Sequence, residues 1–353
     1  MMTKYWSADE ARTGLDEAAA ALAAGGIVAF PTETVYGLGG DAGNTEAVRR
    51  IFVAKGRPSD NPLIVHVADI PAALRLAARA SDIERLLMDT FWPGPLTLVL
   101  PVREGVVSPL VTAGLDTVAV RVPAHETARR LIAASGRPIA APSANRSGRP
   151  SPTLAAHVRE DLDGRIDGLF DGGPTGVGLE STVAQVVGDR IHILRPGGVT
   201  LEMLQQAVGE RATVAGADGQ GAEAAASRDH APRSPGVKYA HYAPKGELLL
   251  VTGSPADMIA AVQAQVADAK ARGLRVGVLA SSEHAPRYEA DAVLDCGSRS
   301  EPGVAAQSLY ALLRECDERR LDFIVAEGYE ESGIGAALMN RLRKAAGGRV
   351  LHV

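Results

Sequence analysis

The chain has 353 residues, of which 46% are hydrophobic and 4% aromatic, and it carries a formal net charge of −5. This length favours two domains, and the hydrophobic fraction is enough for a core that needs no disulfide or metal. The negative net charge argues against a broad nucleic-acid-binding surface but permits a local basic cleft. The N-terminus has no apolar leader and no stretch is suited to crossing a bilayer, so we expect a cytoplasmic protein with no membrane association.

The first half of the chain alternates helical and strand patterns, which is typical of an α/β sheet. Ser7 with Glu10 and Ser81 with Glu84 have capping-box spacing, and Asn44 is a good N-cap. These signals predict helices at 7–24, at 45–55 and from residue 82 onward. Apolar runs between turn signals predict strands at 27–30, 96–101, 117–122 and 139–142, followed by a hairpin over 181–194.

The composition changes after about residue 205. Residues 211–233 are rich in Ala, Gly and short polar residues without apolar periodicity, which is typical of a flexible linker. The linker ends in Ser-Pro-Gly-Val-Lys-Tyr-Ala-His-Tyr-Ala-Pro at 234–244, and this segment is unusually dense in Tyr, His and Lys. A second alternation follows, in which Ser254 and Pro255 mark a helix start. We therefore predict a first domain at 8–205, a linker at 206–246 and a small doubly wound domain at 247–353.

Two polar clusters point to an anionic ligand. Lys55 and Arg57 precede a Pro-rich turn, and a run of Ser, Asn and Arg at 142–151 follows an apolar strand. Lys binds phosphate as a point charge and Arg as a planar fork, while Ser and Asn supply short hydrogen-bonding groups. Cations at the end of a predicted helix would also satisfy the helix dipole. The local excess of positive charge nevertheless favours a substrate rich in negative oxygens.

Polar residues also interrupt apolar strands. A histidine such as His66 is more often a satisfied core residue than a catalyst, whereas Arg121 in its strand must be paired by a carboxylate or by an anionic ligand. A Gly-rich loop at 172–182 contains Ser181, and Arg195 closes the hairpin. Backbone amides in such a loop bind anions, although an ordinary connection has the same composition.

Several chemistries have no matching motif. Cys296 and Cys316 fit neither metal nor redox spacing, so we expect buried structural thiols in a reducing compartment. Residues 31–40 lack the spacing of a dinucleotide fingerprint, and the chain has neither a phosphate loop nor a nucleophile elbow. No cluster of His and Cys has metal-ligand spacing, so we expect no metal site built from side chains.

Eight segments carry a resemblance to known proteins: Pro31–Leu38, Lys55–Pro58 with Asn61–Leu63, Phe91–Thr97, Arg121–Pro123, Pro142–Gly148, Ser181–Val183, Ser234–Pro244 and Gly335–Ala346. In this order they resemble the threonylcarbamoyl-AMP synthase family (YrdC-like proteins) in its long two-domain form. One departure is Val237, where Met is common in the family. The resemblance implies a twisted open α/β sheet with a concave cleft, followed by a smaller Rossmann-like doubly wound C-terminal domain.

The resemblance also implies an activity and a set of partners. The family converts L-threonine, bicarbonate and ATP into threonylcarbamoyl-adenylate and pyrophosphate, with Mg2+ carried by the ATP. Downstream tRNA threonylcarbamoyl-transfer proteins would be partners, and weak direct binding of tRNA is left open.

The family's residues fall on identifiable positions of this chain. Its catalytic set would be Lys55, Arg57, Ser143 and Asn145. ATP would be contacted by Arg57, Asn61, Thr117, Ser143, Ser151, Arg195 and Ser234. L-threonine would be held by Thr34, His66, Arg121, Ser181 and the backbone of Ala141. The linker residues that would cover the site are Tyr239, His241 and Tyr242.

Two other functions stay open at the level of the sequence. One is a non-catalytic RNA-binding module of the same fold. The acidic net charge and the lack of aromatic stacking residues beside the arginines argue against this function. The other is an enzyme that adenylates carbamoyl phosphate, which would be expected to carry zinc-finger and acylphosphatase regions.

Overall fold

The structure, a computed structural model, describes residues 2–7, 13–216 and 242–353. The chain divides into two compact units: unit 1 comprises Met1–Ser147 and Ser151–Lys238, and unit 2 comprises Gly148–Pro150 and Tyr239–Val353. Each unit is built on its own β-sheet flanked by helices, so the predicted α/β class is confirmed. In the part of the chain that the structure describes, no helix is both long and apolar enough to cross a membrane.

Eleven strands form the sheet of unit 1: β1 (Lys4–Ser7), β2 (Val28–Phe30), β3 (Gly37–Asp41), β4 (Ile64–His66), β5 (Leu96–Pro101), β6 (Thr117–Arg121), β7 (Ile139–Ala140), β8 (Gly168–Asp171), β9 (Thr182–Val187), β10 (Arg190–Arg195) and β11 (Thr213–Ala215). Their order across the sheet is β1-β8-β2-β3-β7-β4-β6-β5-β9-β10-β11. The sheet is mixed, because β4 and β6 run parallel whereas β5 and β6 run antiparallel.

Within the described residues, the α-helices of unit 1 are α1 (Thr13–Ala23), α2 (Thr45–Lys55), α3 (Ile70–Leu76), α4 (Asp82–Phe91), α5 (Pro109–Thr112), α6 (Glu126–Ser135), α7 (Ala155–Leu162) and α8 (Leu201–Val208). Two predicted caps are confirmed. The side chain of Asn44 accepts hydrogen bonds from two backbone N–H groups of α2, and Ser81 forms a complete capping box with Glu84 at the start of α4.

Several strands of unit 1 differ from the sequence prediction, and three of them, β1, β3 and β11, show why. Residues 4–7 form β1, parallel to β8, so Ser7, the predicted start of the first helix, ends a strand instead, and Glu10 lies outside the described residues. Residues 37–41, for which the sequence predicts no strand, form β3. A Cβ atom on Gly39 would lie 2.6 Å from the side chains of Ile139 and Phe30, so close packing requires glycine in this strand although glycine is a weak strand former. Residues 213–215, inside the predicted linker, form β11 and pair with β10; the domain boundaries stay a prediction.

The main core of unit 1 lies on one face of the sheet. It takes alternate residues of the central strands, such as Val65, Leu98, Val120 and Ala184. On the opposite face the same strands contribute only a small apolar group: Ile64, Val99, Ala119 and Val183. Because successive side chains of a strand point to opposite faces, the polar residues of these strands can share the face of the small group.

The described residues of unit 2 form five strands and three α-helices. They are β12 (Glu247–Thr252), α9 (Pro255–Ala271), β13 (Val276–Ala280), β14 (Ala292–Asp295), α10 (Pro302–Glu318), β15 (Phe323–Glu327), α11 (Ile334–Ala345) and β16 (Val350–His352). The strand order is β14-β13-β15-β12-β16, and every neighbouring pair is parallel. The predicted doubly wound arrangement is confirmed, with β16 as an additional strand.

Candidate active site

A row of polar side chains crosses five adjacent strands of unit 1. In the order β4, β6, β5, β9 and β10, the polar row consists of His66, Arg121, Thr97, Ser181 and Arg195. His66 and Arg121 are direct partners in the register of β4 and β6. Leu98 and Val120 are partners in the antiparallel pair of β5 and β6, so the adjacent residues Thr97 and Arg121 also lie opposite each other. Ser181 immediately precedes β9. No member is more than 4% exposed, and burying so many polar groups is costly unless they are bonded or meet a ligand.

Arg121 is held from three directions. Its Nε donates to the carbonyl of Gly94 at 3.2 Å, its Nη1 donates to Thr34 Oγ1 at 2.8 Å, and its Nη2 lies 2.5 Å from Glu33 Oε1. The last contact is a charge pair without hydrogen-bond alignment, since neither Nη2 nor the Glu33 carboxylate makes an aligned bond. Burial alone would raise the pKa of Glu33, but the neighbouring Arg121 charge holds that pKa below its ordinary value. Arg121 is therefore a pre-oriented cation beside an ionised carboxylate.

His66 is a neutral imidazole at physiological pH. Burial is the main cause that lowers its pKa to about 3; the Arg121 charge lowers it further, and Glu33 opposes the change. The ring makes an edge contact with Phe30 at a centroid distance of 6.5 Å, and its buried Nδ1 has no hydrogen-bond partner. A neutral imidazole has one donor and one acceptor nitrogen, which suits a ligand hydroxyl.

Ser181 links the other half of the polar row. Its Oγ lies 2.8 Å from Thr97 Oγ1, and its backbone carbonyl accepts hydrogen bonds from both Nε and Nη2 of Arg195. Arg195 is buried, so these bonds fix its guanidinium plane against the loop before β9. A fixed guanidinium presents its donors to a carboxylate or phosphate at little cost in side-chain entropy.

Lys55 stabilises the turn that contains Ser143 and Asn145. Gly56 ends α2 in the left-handed conformation, and Lys55 in the last turn is only 2% exposed. Its Nζ donates to the carbonyls of Ser143 and Asn145, both at 2.5 Å, while Ser143 Oγ donates to Asn145 Oδ1. Three of the predicted catalytic residues therefore form one connected group.

Arg57 and Asn61 lie in the turn after α2. Arg57 Nη2 donates to the backbone carbonyl of Pro62 at 3.2 Å, which folds the side chain back over the turn. Asn61 is 1% exposed, and both atoms of its side-chain amide are buried without a hydrogen-bond partner. Leaving such a group unsatisfied costs about 1–3 kcal/mol, so Asn61 is suited to a ligand that both donates and accepts.

The remaining predicted contacts are spread around these groups. Ser151 is fully buried and donates to Glu180 at 2.6 Å. Ala141 donates its backbone N–H to Ile64 at 2.9 Å. Thr117 begins β6, and alternation places it on the same face as Arg121.

The predicted linker contacts fall mostly outside the described residues. Ser234, Tyr239 and His241 are not described. Tyr242 is buried in unit 2, where its ring lies 5.2 Å from the ring of Tyr310. A role for the linker above the site stays a prediction.

Three residues of this region were not singled out from the sequence. Glu33 pairs with Arg121, Thr97 contacts Ser181, and Glu180 accepts from Ser151. Glu33 and Thr97 belong to segments that carry the family resemblance, so a search within those segments for partners of buried cations would have found Glu33. Nothing local marks Glu180, whose contact joins two loops distant in sequence.

The fold and the polar row together define an α/β protein with a buried cluster of cationic and hydroxyl side chains that is suited to a small anionic molecule. Family models match both parts of the chain: the Sua5/YciO/YrdC family, described as telomere recombination, matches residues 20–197, and the threonylcarbamoyl-AMP synthase C-terminal domain matches residues 199–347. The chain therefore belongs to the two-domain Sua5 family of threonylcarbamoyl-AMP synthases, as its motifs predict.

Individual relatives agree over the full length. The chain is 50% identical to the threonylcarbamoyl-AMP synthase of Bacillus subtilis, with all of both chains covered. It is 47% identical to the corresponding protein of Pyrococcus abyssi, with 93% of each covered. The crystal structure of P. abyssi Sua5 complexed with L-threonine matches with a TM-score of 0.90 and 45% identity, again over all of both chains.

Proposed function

We propose that the protein is an L-threonylcarbamoyladenylate synthase, which converts L-threonine, bicarbonate and ATP into threonylcarbamoyl-AMP and pyrophosphate. The observation that carries this proposal is the polar row, in which a neutral histidine and two fixed arginines are buried on one run of five adjacent strands. The relatives named above support it, since they are named threonylcarbamoyl-AMP synthases and one was solved with L-threonine.

In this proposal L-threonine binds at the Arg121 end of the row. Arg121 would receive the carboxylate, because its guanidinium is already oriented by Gly94, Thr34 and Glu33. His66 would take the threonine hydroxyl through a nitrogen that lacks a protein partner. Ser181 and the backbone of Ala141 would complete the contacts.

ATP would bind across the group built by Lys55. Arg57 and Arg195 would contact phosphate, and the unsatisfied amide of Asn61 would hydrogen-bond the nucleotide. Thr117, Ser143, Ser151 and Ser234 would supply further contacts. Among the described residues no group of three or more His, Cys, Asp or Glu side chains could hold a metal ion, so Mg2+ would arrive on the ATP and neutralise phosphate charge.

The reaction needs no covalent intermediate with the protein. The threonine amine would add to CO2 derived from bicarbonate, giving a carbamate and releasing a proton. A carbamate oxygen would then attack the α-phosphorus of ATP, and the bond to the β-phosphate oxygen would break as pyrophosphate leaves. Positioning by fixed cations accounts for most of such catalysis. The product would pass to downstream tRNA threonylcarbamoyl-transfer proteins, and weak direct binding of tRNA belongs to the same proposal.

The test is pyrophosphate release by the full-length protein with ATP, Mg2+ and bicarbonate, with and without L-threonine. We expect release to depend on L-threonine and to be lost in Lys55→Ala. Arg121→Lys keeps the charge but loses the planar guanidinium that can bind a carboxylate with two N–H groups. The KM for L-threonine should therefore rise about tenfold or more, while the KM for ATP stays close to the wild-type value.

The matched control is Arg130→Lys, which changes an exposed arginine on α6 that pairs only loosely with Glu126. It should leave both KM values unchanged. Release that does not depend on L-threonine, from protein shown to be folded by circular dichroism, would refute the proposed activity.

A further inference from the structure

The sheet of unit 2 has a topological switch point between β12 and β15. These two strands are parallel neighbours, but the chain leaves them in opposite directions across the sheet. From β12 it runs through α9 to β13 on one side, and from β15 it runs through α11 to β16 on the other side. In open parallel sheets, ligands bind outside the carboxyl ends of the strands at such a point, because the diverging connections leave a crevice there.

A cavity of about 490 Å³ lies at this position. It is lined by Thr252 and Gly253 after β12, by Gly328 and Tyr329 after β15, and by Arg299 and Ser300 before α10. The volume falls in the range of roughly 300–1,000 Å³ that is typical of pockets for small organic molecules, and it exceeds the needs of a single inorganic ion. All of these residues belong to unit 2, so the cavity is separate from the polar row.

Arg299 is the fixed cation of the cavity. Its Nη2 donates to the carbonyl of Gly328 at 3.0 Å, its Nη1 contacts Glu327 at 3.3 Å, and its guanidinium lies 5.3 Å from the centroid of the Tyr329 ring. These contacts use two of its five N–H groups, and the other three have no protein acceptor in the described part of the chain. The side chain is 21% exposed, so the free donors remain reachable from the cavity.

Glu327 does not depend on Arg299 for its hydrogen bonds. The carboxylate accepts from the backbone N–H and the hydroxyl of Ser281 and from the hydroxyl of Tyr288, and it also contacts His284 Nδ1 at 2.9 Å. These groups already satisfy the buried carboxylate. The contact with Arg299, at 3.3 Å, is the longest contact that the carboxylate makes. The arginine can therefore pair with a ligand anion while Glu327 keeps its side chain in place.

The lining also includes the Glu330 carboxylate, which repels an anion placed next to it, whereas the other groups suit the organic part of a ligand. The Tyr329 ring offers an apolar face, the glycines at 253 and 328 allow close backbone approach, and Thr252 and Ser300 supply hydroxyls. Pro255 and Pro302 also line the cavity at the first turns of α9 and α10, whose dipoles add to the preference for negative charge.

We propose that this cavity binds a small phosphate ester, with the phosphate on Arg299 and the organic group against Tyr329. The site is independent of the proposed reaction at the polar row and gives unit 2 a ligand of its own.

The test is isothermal titration calorimetry of the full-length protein with AMP and, separately, with inorganic phosphate. We expect saturable AMP binding that weakens at least tenfold in Arg299→Gln, which keeps an amide donor near Glu327. Ser300→Asp places a negative charge in the cavity without touching the Glu327 network and should weaken binding as strongly. Arg272→Gln, an exposed arginine on the same unit that is paired with Asp268, should bind like wild type.

The variant Lys55→Ala distinguishes AMP binding in this cavity from AMP binding at the polar row. It should retain the AMP binding that Arg299→Gln loses. The reverse pattern, with binding lost in Lys55→Ala and kept in Arg299→Gln, would overturn the proposal, as would the absence of saturable binding at millimolar AMP. Equal affinity for inorganic phosphate and AMP would overturn the assignment to an ester. Unchanged melting temperatures of the two cavity variants would confirm that lost binding is not lost folding.

Discussion

Acidification should destabilise unit 1 through His66. In the unfolded chain this histidine titrates near its ordinary pKa of 6.5, whereas burial and the Arg121 charge lower the pKa to about 3 in the folded protein. The unfolded state therefore binds a proton that the folded state does not bind. The stability that this difference contributes is fully present above the pKa of His66 in the unfolded chain. It is lost as the pH falls toward the pKa of His66 in the folded protein.

The size of the effect follows from the two pKa values. At about 1.4 kcal/mol for each pKa unit, the complete loss is roughly 5 kcal/mol, and the step from about pH 7 to about pH 5 accounts for about 2 kcal/mol of it. The assay is urea unfolding of wild type and His66→Gln at both pH values. The wild type should lose about 2 kcal/mol more unfolding free energy than the variant, because contributions from all other groups are shared.

A direct measurement accompanies the unfolding assay. The imidazole resonance of His66, identified by its absence from the NMR spectrum of His66→Gln, should not shift over the same pH range in the folded protein. A titration midpoint near 6.5 for that resonance would refute the reasoning, and so would equal loss of stability in the two proteins.

Three further predictions concern packing. Asp167→Ala should lower the unfolding free energy by about 1–3 kcal/mol in urea denaturation, because it removes an ion pair with Arg50 at 2.7 Å and leaves the backbone N–H of Ile27 without its acceptor. Gly168→Ala should cost a similar amount in the same assay, since the new Cβ would lie 2.0 Å from the Trp6 ring. Cys296 and Cys316 should react with a thiol reagent only as the protein unfolds. Both are buried, and burial raises the pKa of each thiol to about 12.

Matched variants separate these effects from general sensitivity to substitution. Glu46→Ala removes an exposed ion pair with Arg49 and should change the unfolding free energy by less than about 0.5 kcal/mol. Gly303→Ala, in α10 with nothing near the new Cβ, should be neutral or slightly stabilising. A Gly168→Ala protein as stable as wild type, or thiol labelling in the native state faster than unfolding, would contradict the packing arguments.

Much of the local structure is readable without the fold. The Asn44 cap, the capping box at Ser81 and the Gly56 helix end are decided by neighbours within a few residues, so sequence patterns identify them. The strand predicted at 96–101 has the same bounds in the structure, because a short apolar run between turn signals has few alternatives.

Other elements depend on contacts between distant segments. The glycines of β3 carry no strand signal, and the strand exists because β2 and β7 pair on either side of it. In the same way β1 is a strand because β8 lies beside it, more than 160 residues away. Pairing at such separations leaves no trace in local propensity.

The candidate site shows the same division. The chain's motifs identify the cations, hydroxyls and histidine, and their order assigns the family. Only the sheet order, however, brings His66, Arg121 and Ser181 into one row, because β4, β6 and β9 lie within four adjacent strands of the sheet and are far apart in sequence. Burial and the neighbouring Arg121 charge together keep His66 neutral, and the fold sets Glu33 against Arg121, since the cost of a buried charge depends on what surrounds it in three dimensions. The sequence by itself thus determined the chemical groups and the local elements, whereas tertiary structure decided their neighbours and their charge states.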